Sequence, residues 1–426
     1  MITAKENEFL TRVGPGSSMG VLLRRYWHPV AATAELANRW TLRVRLLGEN
    51  LVLFRDRSGR LGLVEESCPH RRASLGYGIP TQAGLRCPYH GWMFDTKGIC
   101  IEQPFEGERH ATLGKKAIAA YPVQELGGLI YGYLGPDPAP LLPRFAALTW
   151  ERAIRAVGKK VVNCNWLQCM ENTADPVHTE WLHGALHEFR HEDTGEKTRI
   201  RQKHAKIAFD GFDFGLIKRR LYEGQSETSH DWTVGHPLVF PNMLLTGSNG
   251  GIWKAHNYQI RVPIDDEHTM HYWYHAYVPP EGAQVPEHLL KQTPPFYEPN
   301  LLNEMGDYNM DLIDAQDIMT WETQGAIADR TKETLGASDR GVVEYRRMLK
   351  RELERVERGE DPLGTVRDPA CNIAIELPLE EGKDMYFDGF ESLTRRQMVS
   401  QSPIMSDLLR IFSGVGKNIQ SEEMAK

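Results

Sequence analysis

Between residues 68 and 92 the chain reads CPHRRASLGYGIPTQAGLRCPYHGW, with two Cys–His pairs, Cys68-x-His70 and Cys87-x-x-His90. Sixteen residues separate His70 from Cys87. Four metal-ligating side chains in two short loops constrain the fold strongly, because both loop tips must meet over one centre. Structural zinc sites ordinarily pair like with like, Cys with Cys and His with His. Here each loop mixes one thiol with one imidazole. That arrangement suits a [2Fe–2S] centre in which two thiolates hold one iron and two imidazoles the other. Pro69 and Pro88 stiffen the tips by fixing φ, and Gly76, Gly78 and Gly91 let the backbone pass close by. Imidazole ligation raises the potential to about −150 to +300 mV, against about −400 mV for plant-type all-Cys clusters. Such a centre accepts electrons from a flavin-linked donor; a structural zinc is the alternative that the ligands leave.

A one-electron centre needs a destination. The stretch CMENTADPVHTEWLHG places Asp175, His178 and His183 in the order D-x-x-H-x-x-x-x-H, with Glu171 four residues earlier. Two histidines and one carboxylate on one face of a mononuclear Fe(II) leave positions open for O2 and substrate. Asp175 and His178 share a helix face. His178 and His183 are five apart, about 140° around a helix with a period of about 3.6 residues, and converge only where the helix is bulged, kinked or ending. Pro176 and Gly184 make such irregularity plausible. Glu304, Asp307, Asp311, Asp314, Asp317 and Glu322 all offer a distant third carboxylate, and spacing does not choose among them.

The remaining pattern is that of an ordinary globular chain. It has 426 residues, 41% hydrophobic and 25% charged, with net charge −7 and pI near 6.2, so nothing draws it to nucleic acid or anionic membranes. The expectation is a cytoplasmic protein: the start has no signal-peptide core, no run is long enough to span a membrane, and six cysteines are too few for a disulfide framework. A helix is expected within residues 8–27, stopped by Pro29. Alternating strands run from about 41 to the Pro-rich 136–144, which makes 1–150 a small β module with an N-terminal extension. In 151–426 the pattern predicts a helix over 163–188, then several strands, a long helix over about 300–328 and another over 340–358. The tail from about 400 reads as loosely ordered. Strands followed by helices argue an α+β fold, an antiparallel sheet with helices packed on it.

CPHRRASLGYG…CPYHGWMFD resembles the Rieske domain of bacterial ring-hydroxylating oxygenases, and the histidine stretch resembles the D-x2-H-x4-H element of Rieske non-haem iron oxygenases. AQDIMTWETQGAIADRTKETLGASD looks like a stretch of the phthalate-dioxygenase group, and the likeness runs from RVGPGSSMG to VVEYRRML. It implies an N-terminal Rieske β-domain (1–150) followed by a helix-grip catalytic domain (151–426). Cys68, His70, Cys87 and His90 would hold the [2Fe–2S] cluster. His178, His183 and Asp317 would hold the mononuclear Fe(II), with Asp314 the second choice for the carboxylate. Asp175 would bridge this iron to the Rieske histidine of a neighbouring subunit in a homotrimer. An NAD(P)H-dependent reductase, with or without a ferredoxin, is implied as partner, since the chain has no G-x-G-x-x-G strand–turn–helix of its own.

Two activities compete within that group: O-demethylation of a methoxylated aromatic acid and cis-dihydroxylation of a phthalate-type acid. Phthalate enzymes carry small, Ser-rich residues near the iron, whereas this chain has Glu180 and Trp181. That departure puts phthalate in doubt, and the same stretch resembles the O-demethylating members of the group, which implies O-demethylation of a lignin-derived biaryl acid. An aromatic acid needs a cation. In GFDFGLIKRRLYEG, Lys218 and Arg220 share one strand face and Arg219 takes the other; Arg219 matches a basic position of phthalate enzymes and is the expected carboxylate clamp. Trp253, Tyr258, Trp273 and Tyr274 are candidate pocket aromatics, and Arg71 and Arg72, beside His70, are candidates for the reductase-docking face.

Overall fold

The computed structural model describes residues 2–106, 112–250, 253–291, 293–379 and 394–412. Three small antiparallel sheets fill the first third. Trp27–Ala32 pairs with Leu129–Tyr133, which pairs with Val123–Leu126. Thr41–Leu46, Glu49–Arg55, Leu61–Glu65 and Ala120–Tyr121 form a second sheet. The third is a set of short strands, Ile79–Pro80, Leu85–Arg86, Met93–Phe94 and Cys100–Glu102. A core of Val52, Phe54, Val64, Leu75, Leu85 and Phe94 lies between the last two sheets and includes Cys68 and Cys87, so apolar packing fixes both loops that carry the Cys–His pairs.

One eight-stranded sheet organises the rest, in the order His204–Phe212, Gly215–Tyr222, His236–Val239, Met243–Gly250, Trp253–Pro263, Thr269–Val278, Ile154–Val162 and Phe296–Tyr297. All pairings are antiparallel except the last. Thr269–Val278 is buried at eight of its ten positions and partly buried at the other two, as an interior strand covered on both faces must be. Helix Arg340–Glu357 buries Val342, Tyr345, Leu349, Leu353 and Val356, the three-to-four-residue spacing of one helical stripe, and leaves most of its charges outside, with Arg346 and Glu352 the buried exceptions. It packs on helix Trp166–Ala174, which carries the approach to the histidine stretch.

Several elements differ from the sequence expectation. The N-terminal helix is two, Ala4–Thr11 capped by Thr3 and Ser17-capped Ser18–Leu23, split at Gly14-Pro15-Gly16, and Pro29 lies in a strand. This extension packs on the second half: Lys350 pairs with Glu6, and Asn7 donates to the Ala328 carbonyl at 3.0 Å. The long helix expected over 300–328 is only Ile313–Glu322. Upstream, the side-chain oxygens of Asn300, Asn303 and Asn309 accept from backbone N–H groups two residues on, which competes with helix. Within the tail, Met405–Phe412 is a helix whose Leu408 and Phe412 pack with Ile154 and Tyr277; residues 413–426 lie outside the described residues. No helix among the described residues is long and apolar enough to cross a membrane.

Candidate functional site

The two Cys–His loops are near copies of each other. Cys68 donates its N–H to the Ala73 carbonyl and accepts from Arg72 N–H, both within 2.9 Å. Cys87 does the same with Trp92 and Gly91, at 2.8 and 3.0 Å. The fourth residue after each cysteine turns left-handed, Arg72 at φ 62° and Gly91 at φ 77°. Both turns bury the sulfur and lift the histidines outward. The His70 and His90 rings stand 4.6 Å apart, and His70 stacks on Trp92 at 4.7 Å. His90 is exposed and His70 half-buried. Burial, with Cys87 beside it, pushes the Cys68 thiol up to about 11, so thiolates here require adjacent cationic charge. Two sulfurs beneath two imidazoles fit a cluster with mixed ligation.

The second constellation begins where helix Trp166–Ala174 stops. Asp175 is extended, as a residue before proline must be, and Pro176 prevents the helix from continuing. Thr179–Ala185 then winds as a π-helix, closed by the Leu186 N–H bonding to the Trp181 carbonyl five residues back. A five-residue repeat places His178 and His183 on one side, with ring centroids 5.1 Å apart. Gly184 permits this turn to lie against residue 201: a Cβ there would stand 2.8 Å from Arg201 Cα.

Asp317 arrives from helix Ile313–Glu322. Its Oδ1 lies 3.3 Å from His183 Nε2 and 3.6 Å from His178 Nε2. His183 is oriented from behind by Gln316 Oε1 at 2.7 Å, and Asn172 donates to Asp317 at 3.2 Å. Burial alone would raise Asp317, but His183, His178 and Arg261 outweigh it and hold the carboxyl at about 2. Burial opposes charge on His183, yet Asp317 and Gln316 draw it toward protonation. The pocket thus favours a cation between these three groups, and two imidazoles with one carboxylate fit Fe(II). Asp314 is differently engaged: it accepts from the Trp273 indole at 2.7 Å and from Gln259 at 2.9 Å, and burial pushes it up to about 6.

The other expected residues separate. Asp175 lies 3.5 Å from His178 Nδ1 and accepts the Val177 N–H at 2.8 Å, facing a surface cleft it shares with Trp181. Glu171 is a structural anion, buried between Arg330 and Arg346 at 2.7 and 2.6 Å. Arg219 does not reach the cavity beside His178, His183 and Asp317. It pairs with Asp210 and donates to the carbonyls of Trp232 and Thr233, because strand alternation turns it away. Lys218 and Arg220, on the opposite face and buried, line that cavity instead. Trp273 lines it and Tyr258 borders it, but the Tyr258 ring stacks at 5.8 Å on Tyr274, which donates to the Gly127 carbonyl on the other face of the sheet; the Trp253 side chain lies outside the described residues. Asn257, His236 and His275 add to the polar lining. Nothing in local spacing marks those three, since they come from three different strands.

Comparison with known proteins bears on what this geometry serves. A family model for the Rieske [2Fe-2S] domain matches residues 26–122, and one described as LigXa C-terminal domain like matches 287–376. The chain is 42% identical to the 5,5'-dehydrodivanillate O-demethylase oxygenase subunit of Sphingobium sp., over 89% of this chain and 87% of that protein. It belongs to the Rieske non-haem iron oxygenases. This Rieske oxygenase is also 32% identical to the phthalate 4,5-dioxygenase oxygenase subunit of Pseudomonas putida, over 86% and 89% of the two chains. Pseudomonas putida CBB5 NdmA shares its fold, with a TM-score of 0.60 over 82% of this chain and 98% of that one at 20% identity. The oxygenase therefore works with a [2Fe–2S] cluster and a mononuclear iron, and takes its electrons from a separate protein.

Proposed function

We propose that this oxygenase O-demethylates a methoxylated aromatic acid, with a biaryl acid of the dehydrodivanillate kind the best-supported substrate. The observation that carries the reading is the cavity itself. It brings a buried cation pair, Lys218 and Arg220, into the lining of the same space as His178, His183 and Asp317. An aromatic carboxylate held by the cations presents its ring substituents toward the metal ligands, and its methoxy group can be the part oriented for attack. The likeness to the dehydrodivanillate enzyme extends over most of both chains and supports the same choice.

When bound, the mononuclear iron supplies dioxygen activation, held by His178, His183 and Asp317, while the cluster, held by Cys68, His70, Cys87 and His90, supplies electrons singly. Gln316 and Asn172 keep His183 and Asp317 aligned. Asp175 contacts the far nitrogen of His178 from the outer cleft and is the bridge to a Rieske histidine of a neighbouring copy, in the homotrimer that the family resemblance implies. Net insertion of one oxygen atom into the methyl C–H bond gives a hemiacetal that collapses to a phenol and formaldehyde. The second oxygen atom leaves as water, with two electrons and two protons supplied through the reductase. The test is turnover with NADH and a phthalate-type reductase on methoxylated and plain aromatic acids. Formaldehyde in step with NADH oxidation supports demethylation, and a cis-diol from a phthalate-type acid without formaldehyde refutes it.

A further inference from the structure

Beyond the iron site, the π-helical turn runs into a helix, Leu186–Arg190, whose sequence with its next residue is His187-Glu188-Phe189-Arg190-His191. Histidines four apart lie on one helix face, and here the rings stand 4.2 Å apart. Glu196, on the turn that follows, brings Oε1 to 3.0 Å from His187 Nε2. One ligand atom from each of His187, His191 and Glu196 lies within 4.8 Å of the others. Asp311 Oδ1 adds a fourth donor, 4.0 Å from His191 Nε2. In a tetrahedral site with bonds of about 2.0–2.2 Å, neighbouring ligand atoms stand about 3.4 Å apart, so small side-chain rotations would close this set on an ion.

We propose that His187, His191 and Glu196, with Asp311, form a second metal site that takes a zinc-type divalent cation. The donors of His191 are prepared for it. Its Nδ1 donates to the His187 carbonyl at 2.9 Å, which leaves Nε2 as the ligand nitrogen, the outer hydrogen bond typical of metal-bound imidazoles. His187 is 3% exposed, and its Nδ1 is buried with no hydrogen-bond partner among the described residues. Two imidazoles with carboxylates are a borderline donor set that suits zinc better than calcium or magnesium.

The site is structural. Glu188, which occupies the position of the general base in hydrolytic His-Glu-x-x-His zinc sites, pairs with Lys197 at 3.6 Å and accepts from the Thr198 N–H at 3.5 Å. The ion would clip the segment after His183 to Asp311, which precedes the helix that carries Asp317, and so tie together the two strands of chain that supply the iron site.

The experiment uses the iron-loaded protein, equilibrated with one equivalent of Zn(II) and gel-filtered, with zinc and iron counted per chain. The expected result is one retained zinc with iron unchanged, and loss of that zinc in both His191→Asn and, at the exposed Glu196, Glu196→Gln. Zinc that washes off the wild type, or that the variants retain equally, overturns the proposal. Zinc that enters only as iron leaves also overturns it, since that ion would sit at His178, His183 and Asp317.

Discussion

His178 and His183, five residues apart in sequence, face each other at 5.1 Å because the chain between them winds as a π-helix. An α-helical turn would splay them by about 140° on its period of about 3.6 residues. The local departure from regular helix is thus what makes a chelate of these two side chains, in keeping with the concentration of π-turns at functional sites.

That turn depends on Gly184. A Cβ at this position would meet the backbone of Arg201 at 2.8 Å, and backbone cannot swing aside as a side chain can. Gly184→Val is expected to cost about 1–3 kcal/mol of stability through overpacking and to lower occupancy of the mononuclear iron while the cluster stays full. Metal counts together with a urea titration check this; full iron at unchanged stability would show that the close approach is dispensable.

The cation pair gives a second expectation. Lys218→Met should remove a charge-assisted hydrogen bond of about 1.5–3 kcal/mol, lowering kcat/KM for aromatic acids by about 10–100-fold with little effect on metal content. Arg219→Gln should leave kcat/KM unchanged, because Arg219 is held by Asp210, Trp232 and Thr233. Steady-state kinetics on the two variants decide; the reverse ranking would return the clamp to Arg219.

Electron passage gives a third. Asp175→Asn keeps the backbone acceptance from Val177 available but loses the negative charge beside His178. Both centres should remain bound, while the reduced cluster reoxidises far more slowly in the presence of substrate and O2. Stopped-flow absorbance of the cluster measures this, and a reoxidation rate equal to wild type would contradict the bridging role.

Acid lability gives a fourth. Burial lowers His28 to about 4 and His256 and His275 to about 3. Unfolded histidines take up protons near pH 6.5 and these folded ones do not, so stability is full above pH 6.5 and falls as pH drops toward 4. Asp314 works in the opposite sense between pH 6 and 3.8, since the fold favours its protonated form, but it is one carboxyl against three imidazoles. The urea midpoint should fall from pH 7.5 to pH 5; a flat or rising midpoint would contradict this.

Much of this was legible in the residues. Alternation revealed the strands, the helix over 340–358 was legible in outline, and mixed Cys–His loops pointed to iron and sulfur. Most of what escaped was decided by contacts distant in sequence. Spacing ranked neither Asp314 nor Asp317 first; Trp273 and Gln259, from neighbouring strands, engage one and leave the other to the histidines. Alternation put Lys218 and Arg220 on one face but could not say which face looks inward. The asparagines at 300, 303 and 309 gave a polar run that passes for helix surface until their side chains are seen to cap their own loops.

The central claim is that Asp317 joins His178 and His183 in holding the mononuclear iron. Counting iron in Asp317→Ala and Asp314→Asn, beside the electron paramagnetic resonance signal of the reduced cluster, tests it most directly. Asp317→Ala should lose one iron per chain with the cluster signal intact, and Asp314→Asn should keep its full complement. Full iron in Asp317→Ala, or loss of one iron in Asp314→Asn alone, would contradict the assignment.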